Sequence, residues 1–398
     1  MQDATENSML RAELASEPPC VMQVLPSLVT GGVERGAVEI AAALVDSGGR
    51  AIVVSSGGPM AHEVTRVGAE HITLPVHSKN PFVIRKNIDR LARIIRSKEV
   101  DIVHARSRAP AWSAYYAAQK TNAHFVTTFH GTYNLGPPLK KFYNSIMTRG
   151  EKVIAISDHI ARHILETYPC DPARIRVIHR GVDLDIFDPT RVSAERVIKL
   201  STEWRLPDGV PVIMLPGRLA RWKGHMVLIE ALALLKRDDI RCIIVGSDEG
   251  RSRYVRDMQA QIEALNLGSV VHIVGDCRDM PAALMLSDVV VHASTDPEAF
   301  GRVIIEAQAM GRPVVAADHG ASREIIEPGE SGWLAKPGDP EDLAQALRAA
   351  LGLSTQERAQ LAQRTRALSL ESFSKTAMCA ATLEVYQSVL APPRRDAA

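Results

Sequence analysis

From residue 20 onward, short and almost continuously apolar runs alternate with longer stretches whose apolar positions recur every three or four residues. The short runs predict strands buried on both faces, the longer ones amphipathic helices. CVMQVLP, RAIVVSS, DIVHAR, HFVTTFHG, KVIAIS and IRVIHRG read as strands. GVERGAVEIAAALVDSG, PFVIRKNIDRLARIIRSKEV and DHIARHILETY read as helices, with Ser157 placed to cap the last of them. Strand and helix in strict alternation predict a parallel sheet covered by helices on both faces.

After a looser stretch, VDLDIFDPTRVSAERVIKLSTEWRLPDG, the plan repeats. VPVIMLPG, RCIIVGS, VVHIVG, DVVVHAS and RPVVAAD are expected strands; HMVLIEALALLKRD and YVRDMQAQIEALNLG are expected helices. The expected fold class is therefore α/β, with two Rossmann-like doubly wound domains facing a cleft, where ligands bind beyond the carboxyl ends of the strands. The expected domains are 20–185 and 186–372, followed by a helix at 373–390, with disordered tails at 1–19 and 391–398.

Composition then narrows the class. The chain has 398 residues, enough for two cores of ordinary size, and a net charge of +1, which argues against a general nucleic-acid binder. Five scattered cysteines with no C-x-x-C pair suggest neither a disulfide framework nor a zinc site, and a reducing compartment fits them. The first nineteen residues lack the apolar core of a signal peptide, and no run of eighteen apolar residues exists to cross a bilayer. A cytoplasmic location is expected.

Candidate chemistry lies where the expected strands end. RLARWKGH follows VPVIMLPG and sets Arg218 and Lys223 at the start of a helix. A planar fork, a mobile ammonium and helix N-terminal amides together suit a diphosphate; the alternative is a solvated basic turn. In LVTGGVERG, Gly31 and Gly32 allow close approach of backbone to an anion, or else supply a turn with positive φ. This is not the dinucleotide fingerprint of nicotinamide binders. His130, at the end of HFVTTFHG, can bond a sugar hydroxyl, transfer a proton, or serve the fold alone.

DPEAFGRVIIEAQAMGRPVVAADHG contains Glu298 and Glu306, the first in a loop and the second a turn into a helix. Eight residues of continuous helix would part them by roughly 12 Å. Paired carboxylates acting around one glycosidic bond lie roughly 5 to 9.5 Å apart, so these two are expected to hold hydroxyls of a larger ligand. Phe300, Gly301 and Arg302 supply amides at the helix start between them. A capping acid plus a surface glutamate is the alternative, but Glu306 interrupts an apolar face and a buried carboxylate needs a partner.

These motifs resemble the retaining glycosyltransferases of the GT-B fold, family 4, over about residues 21 to 390. The likeness rests on TGGVERG, FHGTY, VIAIS, RGVDLDIFDP, GRLARWKGH, VGSDEG and, above all, the E-x7-E stretch EAFGRVIIEAQAMGRPVVAADHG. It implies transfer of a sugar from a nucleoside-diphosphate donor, held mainly by the second domain, to an acceptor held mainly by the first. It places Glu298 on donor hexose hydroxyls, Glu306 on the nucleoside ribose, and Arg218 and Lys223 on the diphosphate. Gly31 and Gly32 would close over that diphosphate, His130 would touch the donor sugar, and VGDCRDM, including Gly275, Asp276 and Cys277, would meet the base. A UDP-sugar is the expected donor.

The D-x-D at Asp183 and Asp185 falls at the linker, so both acids are read as structural, and neither an essential metal nor a cofactor is expected. Two departures from the family pattern stand out: Arg180 where asparagine is common before the linker glycine, and Ala299 where glycine is common. From Lys79 to Lys152 there are 14 Lys and Arg against 4 Asp and Glu, an excess of 10. With Lys140, Lys141, Phe142 and Tyr143 in this segment, the patch suits a peripheral contact with an anionic membrane and a glycan or lipid-linked acceptor, as in lipopolysaccharide synthesis; ordinary solvated helices are the alternative. A nucleotide-sugar 2-epimerase would use the same donor but needs acid/base residues not assignable here. A dehydrogenase or a non-catalytic nucleotide-binding module is disfavoured by the missing fingerprint.

Overall fold

The computed structural model describes residues 18–391 except positions 30, 134, 137 and 249. Nearly all of both expected tails therefore lies outside the described residues. The chain forms two compact units, residues 1–180 with 376–398, and residues 181–375.

In the first unit the strands are β1 (Cys20–Val24), β2 (Arg50–Ser55), β3 (Glu70–Thr73), β4 (Ile102–Ala105), β5 (His124–Phe129), β6 (Lys152–Ala155) and β7 (Ile175–Val177). Its helices are α1 (Gly32–Asp46), α2 (Ala61–Arg66), α3 (Pro81–Lys98), α4 (Arg108–Gln119), α5 (Pro138–Asn144) and α6 (Asp158–Thr167). The sheet order is β3-β2-β1-β4-β5-β6-β7, all pairs parallel. Strands β1 and β4 are buried along their whole length, the pattern of a sheet covered on both faces. Ser157 caps α6, accepting from the Ile160 amide at 3.1 Å.

In the second unit, α7 (Ala194–Glu203) precedes β8 (Val212–Pro216), α8 (His225–Leu235), β9 (Arg241–Val245), α9 (Ser252–Ala264) and β10 (Val271–Gly275). Then come α10 (Met280–Leu286), β11 (Val289–His292), α11 (Arg302–Ala309), β12 (Val314–Ala317), α12 (Ser322–Ile325) and β13 (Trp333–Ala335). Helices α13 (Pro340–Leu351) and α14 (Thr355–Ser372) complete the unit. The order is β10-β9-β8-β11-β12-β13, again parallel throughout. Both sheets reverse direction of growth once, beside β1 in the first unit and beside β8 in the second. At such a reversal the loops on either side diverge and leave room for a ligand.

The final helix, α15 (Lys375–Leu390), is not an appendage of the second domain. Its Met378, Cys379, Val385, Tyr386 and Val389 are part of the core cluster built on β1, β2 and α1. Gly181–Val182 and Phe373–Lys375 pair at the two ends of the second unit, with Val182 N donating to Phe373 O at 2.8 Å. The expected boundary at 185 therefore moves to residue 180. Asp183 takes Lys375 at 2.7 Å and Asp185 takes Arg191 at 3.0 Å, which is structural work for both acids of the D-x-D.

The helix α15 is anchored by a buried polar chain. Tyr386 Oη lies 2.7 Å from His104 Nδ1, and His104 Nε2 lies 2.7 Å from Thr128 Oγ1. Burial holds the His104 imidazole well below its ordinary pKa, so it is neutral and both ring nitrogens are satisfied. Tyr386→Phe leaves Nδ1 buried without a partner and is expected to lower stability by roughly 1–3 kcal/mol. Denaturant unfolding of the variant beside wild type measures this, and an unchanged midpoint would mean the helix is not held by that bond.

Candidate active site

The second unit gathers its candidate residues around the strand-order reversal. Arg218 and Lys223 lie in the loop after β8, ahead of the helix rather than at its start. A short 3-10 turn, Arg221–Lys223, and Gly224 intervene before α8 begins. Glu298 lies in the loop after β11, and Glu306 one turn into α11, whose N-cap is Gly301. Two glycines let these loops meet. A Cβ on Gly224 (φ 75°) would stand 1.8 Å from the Ala293 carbonyl, and one on Gly320 (φ 58°) 2.4 Å from the Glu298 carbonyl. Thr295 N donates to Trp222 O at 2.7 Å, and Ala321 N to Glu298 O at 3.1 Å.

The result is a direct ion pair between two residues expected on different parts of one ligand. Lys223 Nζ donates to Glu298 Oε2 at 2.6 Å, with the side chains only 12% and 17% exposed. The same oxygen meets His292 Nε2 at 3.1 Å and the Ser294 hydroxyl at 3.3 Å. Burial alone would raise the Glu298 pKa; the hydrogen bonds and charges of His292 and Lys223 outweigh it and hold the carboxyl well below its usual range. Lys223 Nζ also lies 4.2 Å from the centroid of the Trp222 ring, and Arg218 Cζ 5.9 Å from it, so the indole ring is within cation–π range of both.

Glu306 is met by Arg302 one turn back, with Nε 3.3 Å from Oε1. Phe300 is buried against Phe373, ring centroids 6.0 Å apart, so its side chain belongs to the core. Gly275 ends β10 with φ 76°, and exposed Asp276 and half-buried Cys277 follow it. Burial pushes the Cys277 thiol up, which disfavours the thiolate. Asp279 fixes this loop by capping α10 and binding Arg196 through two bonds of 2.8 and 2.6 Å.

The first unit presents its own group at the reversal between β1 and β4. Gly31 (φ 176°) is extended and is the N-cap of α1, so the alternative of a left-handed turn does not hold there. The Glu34 carboxylate lies over Gly31, where a Cβ would come within 2.4 Å of it, and the acid favours the positive end of α1. Arg180, 6% exposed, donates to the Gly32 carbonyl. His130 follows β5; burial, with the like charges of Arg106 and Arg180, keeps its pKa well below the ordinary value. A neutral imidazole bonds hydroxyls but is a weak base at neutral pH. Arg106, counted above in the basic surface excess, is instead 1% exposed. Its Nη1 donates to Gln23 Oε1 at 3.0 Å, and its Nε and Nη2 have no partner among the described residues.

Sequence reasoning missed His292, Ser294, Trp222, Gly320, Glu34 and Arg106. His292 and Ser294 stood inside DVVVHAS, a run whose apolar pattern announces only a strand.

Two doubly wound units, one with two cations and a carboxylate held well below its usual pKa at its strand-order reversal, define an open α/β protein of the class that binds ligands beyond the carboxyl ends of its strands. Sequence models of two families match its halves: Glycosyltransferase Family 4 over residues 30–186 and Glycosyl transferases group 1 over residues 198–368. The chain is 31% identical to a D-inositol 3-phosphate glycosyltransferase of Xylanimonas cellulosilytica, over 72% of this chain and 71% of that one. It belongs to the group 1 glycosyltransferases, family 4. A solved glycosyltransferase from Rickettsia africae is 40% identical with a TM-score of 0.89, covering 94% of this chain and 99% of that one. HepE of Anabaena, solved in complex with UDP and glucose, is 24% identical with a TM-score of 0.82, covering 93% and 100%. These likenesses establish a GT-B glycosyltransferase fold.

The depressed Glu298 pKa has a consequence for stability. A group whose folded pKa lies below its unfolded value of about 4.3 contributes stability that is complete above that pH and is lost as pH falls toward the folded value. The stability gap between wild type and Glu298→Gln is expected to be constant from pH 7 to about 5 and to shrink below about 4.3. Unfolding midpoints of both proteins from pH 7 to pH 3 measure it; a gap that stays constant to pH 3 contradicts the assignment.

Proposed function

We propose that the protein is a retaining glycosyltransferase that moves a hexose from a nucleoside-diphosphate sugar, a UDP-sugar by preference, to a glycan or lipid-linked acceptor in envelope polysaccharide or lipopolysaccharide synthesis. The observation that carries this reading is the meeting of Lys223, from the loop after β8, with Glu298, from the loop after β11, at 2.6 Å. A cation for a diphosphate and a carboxylate for sugar hydroxyls are the two functions a nucleotide sugar needs side by side.

In this reading Arg218 and Lys223 take the charge that builds on the diphosphate as the anomeric carbon–oxygen bond breaks. The electron pair leaves with the nucleoside diphosphate. The acceptor hydroxyl attacks on the same face, and its proton passes to the departing phosphate. Preorganised charge of this kind is commonly the largest catalytic term, and two cations supply it without an essential metal. Glu298 holds hexose hydroxyls, Glu306 the ribose, and the Gly275–Asp276–Cys277 loop the base through its backbone. Gly31, Gly32 and neutral His130, all in the first unit, are assigned to the donor from the family resemblance. The complex of HepE with UDP and glucose supports the donor class. The likeness to WaaG, a glycosyltransferase involved in lipopolysaccharide biosynthesis with 19% identity and a TM-score of 0.71, supports the pathway.

Thermal stabilisation by UDP, GDP, ADP and CDP and their sugars tests the donor. One nucleotide sugar is expected to raise the melting temperature with or without a chelator, and Arg218→Ala to abolish that rise and lower turnover by about a hundredfold or more. No rise with any of them would end the transferase reading of this site.

Access to a lipid-linked acceptor is proposed through α5, where Leu139 and Phe142 are 82% and 58% exposed beside exposed Lys140 and Lys141. No helix among the described residues is long and apolar enough to cross a membrane, so the contact would be peripheral. Sedimentation with vesicles rich in anionic lipid is expected for wild type and to fall sharply in Leu139→Ser/Phe142→Ser; equal sedimentation with neutral vesicles, or no difference between proteins, would rule the surface out.

A further inference from the structure

His292 closes β11 with its side chain 2% exposed, in register with Ala316 of β12. Its Nε2 meets Glu298 Oε2 at 3.1 Å. A carboxylate only accepts, so Nε2 carries the proton in that contact. Lys223 Nζ at 2.6 Å and the Ser294 hydroxyl at 3.3 Å reach the same oxygen. Among the described residues, the hydrogen bonds that reach Glu298's carboxylate thus all fall on Oε2. One oxygen is anchored and the other is left to a ligand.

The three donors are not equivalent. Lys223 is a flexible four-carbon stem on a loop, and in the function proposed above it serves the diphosphate, so its bond to Glu298 is exchanged when a donor arrives. Ser294 makes two longer contacts, one to Glu298 and one to His292, each 3.3 Å. His292 is planar, buried and fixed by the sheet, and stays when Lys223 leaves. We propose that His292 is a positioning residue for the donor sugar: it holds Glu298 Oε2 while Lys223 turns to the diphosphate, leaving Oε1 fixed for the hexose hydroxyls. This rests on the reading of Glu298 as the hexose ligand. It assigns a function to a residue that touches no substrate itself.

UDP and UDP-glucose, titrated calorimetrically into the full-length protein, separate the nucleotide from the sugar. Wild type is expected to bind UDP-glucose through both parts. His292→Leu, which fills the space without a donor, is expected to bind UDP as wild type does and UDP-glucose on the order of tenfold more weakly, the effect of one hydrogen bond to a charged group. His292→Gln, whose amide nitrogen reaches the position of Nε2, is expected to restore sugar binding. His292→Asn, too short to reach Oε2, is expected to behave like leucine and serves where leucine prevents folding.

A merely structural histidine would not separate the two ligands. Equal weakening of UDP and UDP-glucose, or no weakening of either, would overturn the proposal while leaving the transferase reading in place. If wild type binds UDP and UDP-glucose equally, Glu298 is not the hexose ligand and the proposal falls with that role. If it binds neither, the UDP-sugar reading fails first.

Discussion

Glu298 is a largely buried anion, 17% exposed, whose position depends on donors from the loop after β8 and from the end of β11 and the loop after it, segments adjacent in the sheet but far apart in sequence. A carboxylate taken out of water is tolerated only where hydrogen bonds and opposite charge replace its hydration. Lys223, His292 and Ser294 do so on a single oxygen. The geometry follows from the strand order, because the loops after β8 and β11 leave the sheet side by side at its reversal. It also follows from two close backbone approaches: Gly224 against the Ala293 carbonyl and Gly320 against that of Glu298. A side chain at either would push the loops apart.

A common principle runs through the surrounding residues. Charged groups expected to meet a nucleotide sugar are already paired with one another: Lys223 with Glu298, and Glu306 with Arg302. Each pair keeps its members oriented, and in the proposed function a ligand would exchange one partner for another instead of ordering a loose side chain. This is how preorganised electrostatics limits reorganisation during the reaction.

The first unit solves a different problem. Two of its histidines, His104 and His130, are kept neutral by burial, and the second also by the nearby charges of Arg106 and Arg180. A neutral imidazole supplies one donor and one acceptor, which suits a tyrosine–histidine–threonine chain in a core and a sugar hydroxyl at a strand end. The C-terminal helix α15 completes this core, so the first unit is assembled from both ends of the chain.

The buried strands of both sheets were legible in the sequence because a parallel sheet covered on both faces leaves continuous apolar runs. The edge strands β3 and β13 were not, because their EHIT and WLA carry no such run. The R-x4-K and E-x7-E spacings marked Arg218, Lys223, Glu298 and Glu306 because each set lies within one local segment. The sequence by itself thus determined the two α/β units, the family likeness and the residues carrying the charge. Only the tertiary structure decided that Lys223 and Glu298, 75 residues apart, hold each other, that His292 and Ser294 share the same oxygen, and that α15 belongs to the first core. Those are contacts between segments brought together by strand order, and local periodicity records which face of an element is buried but not what buries it.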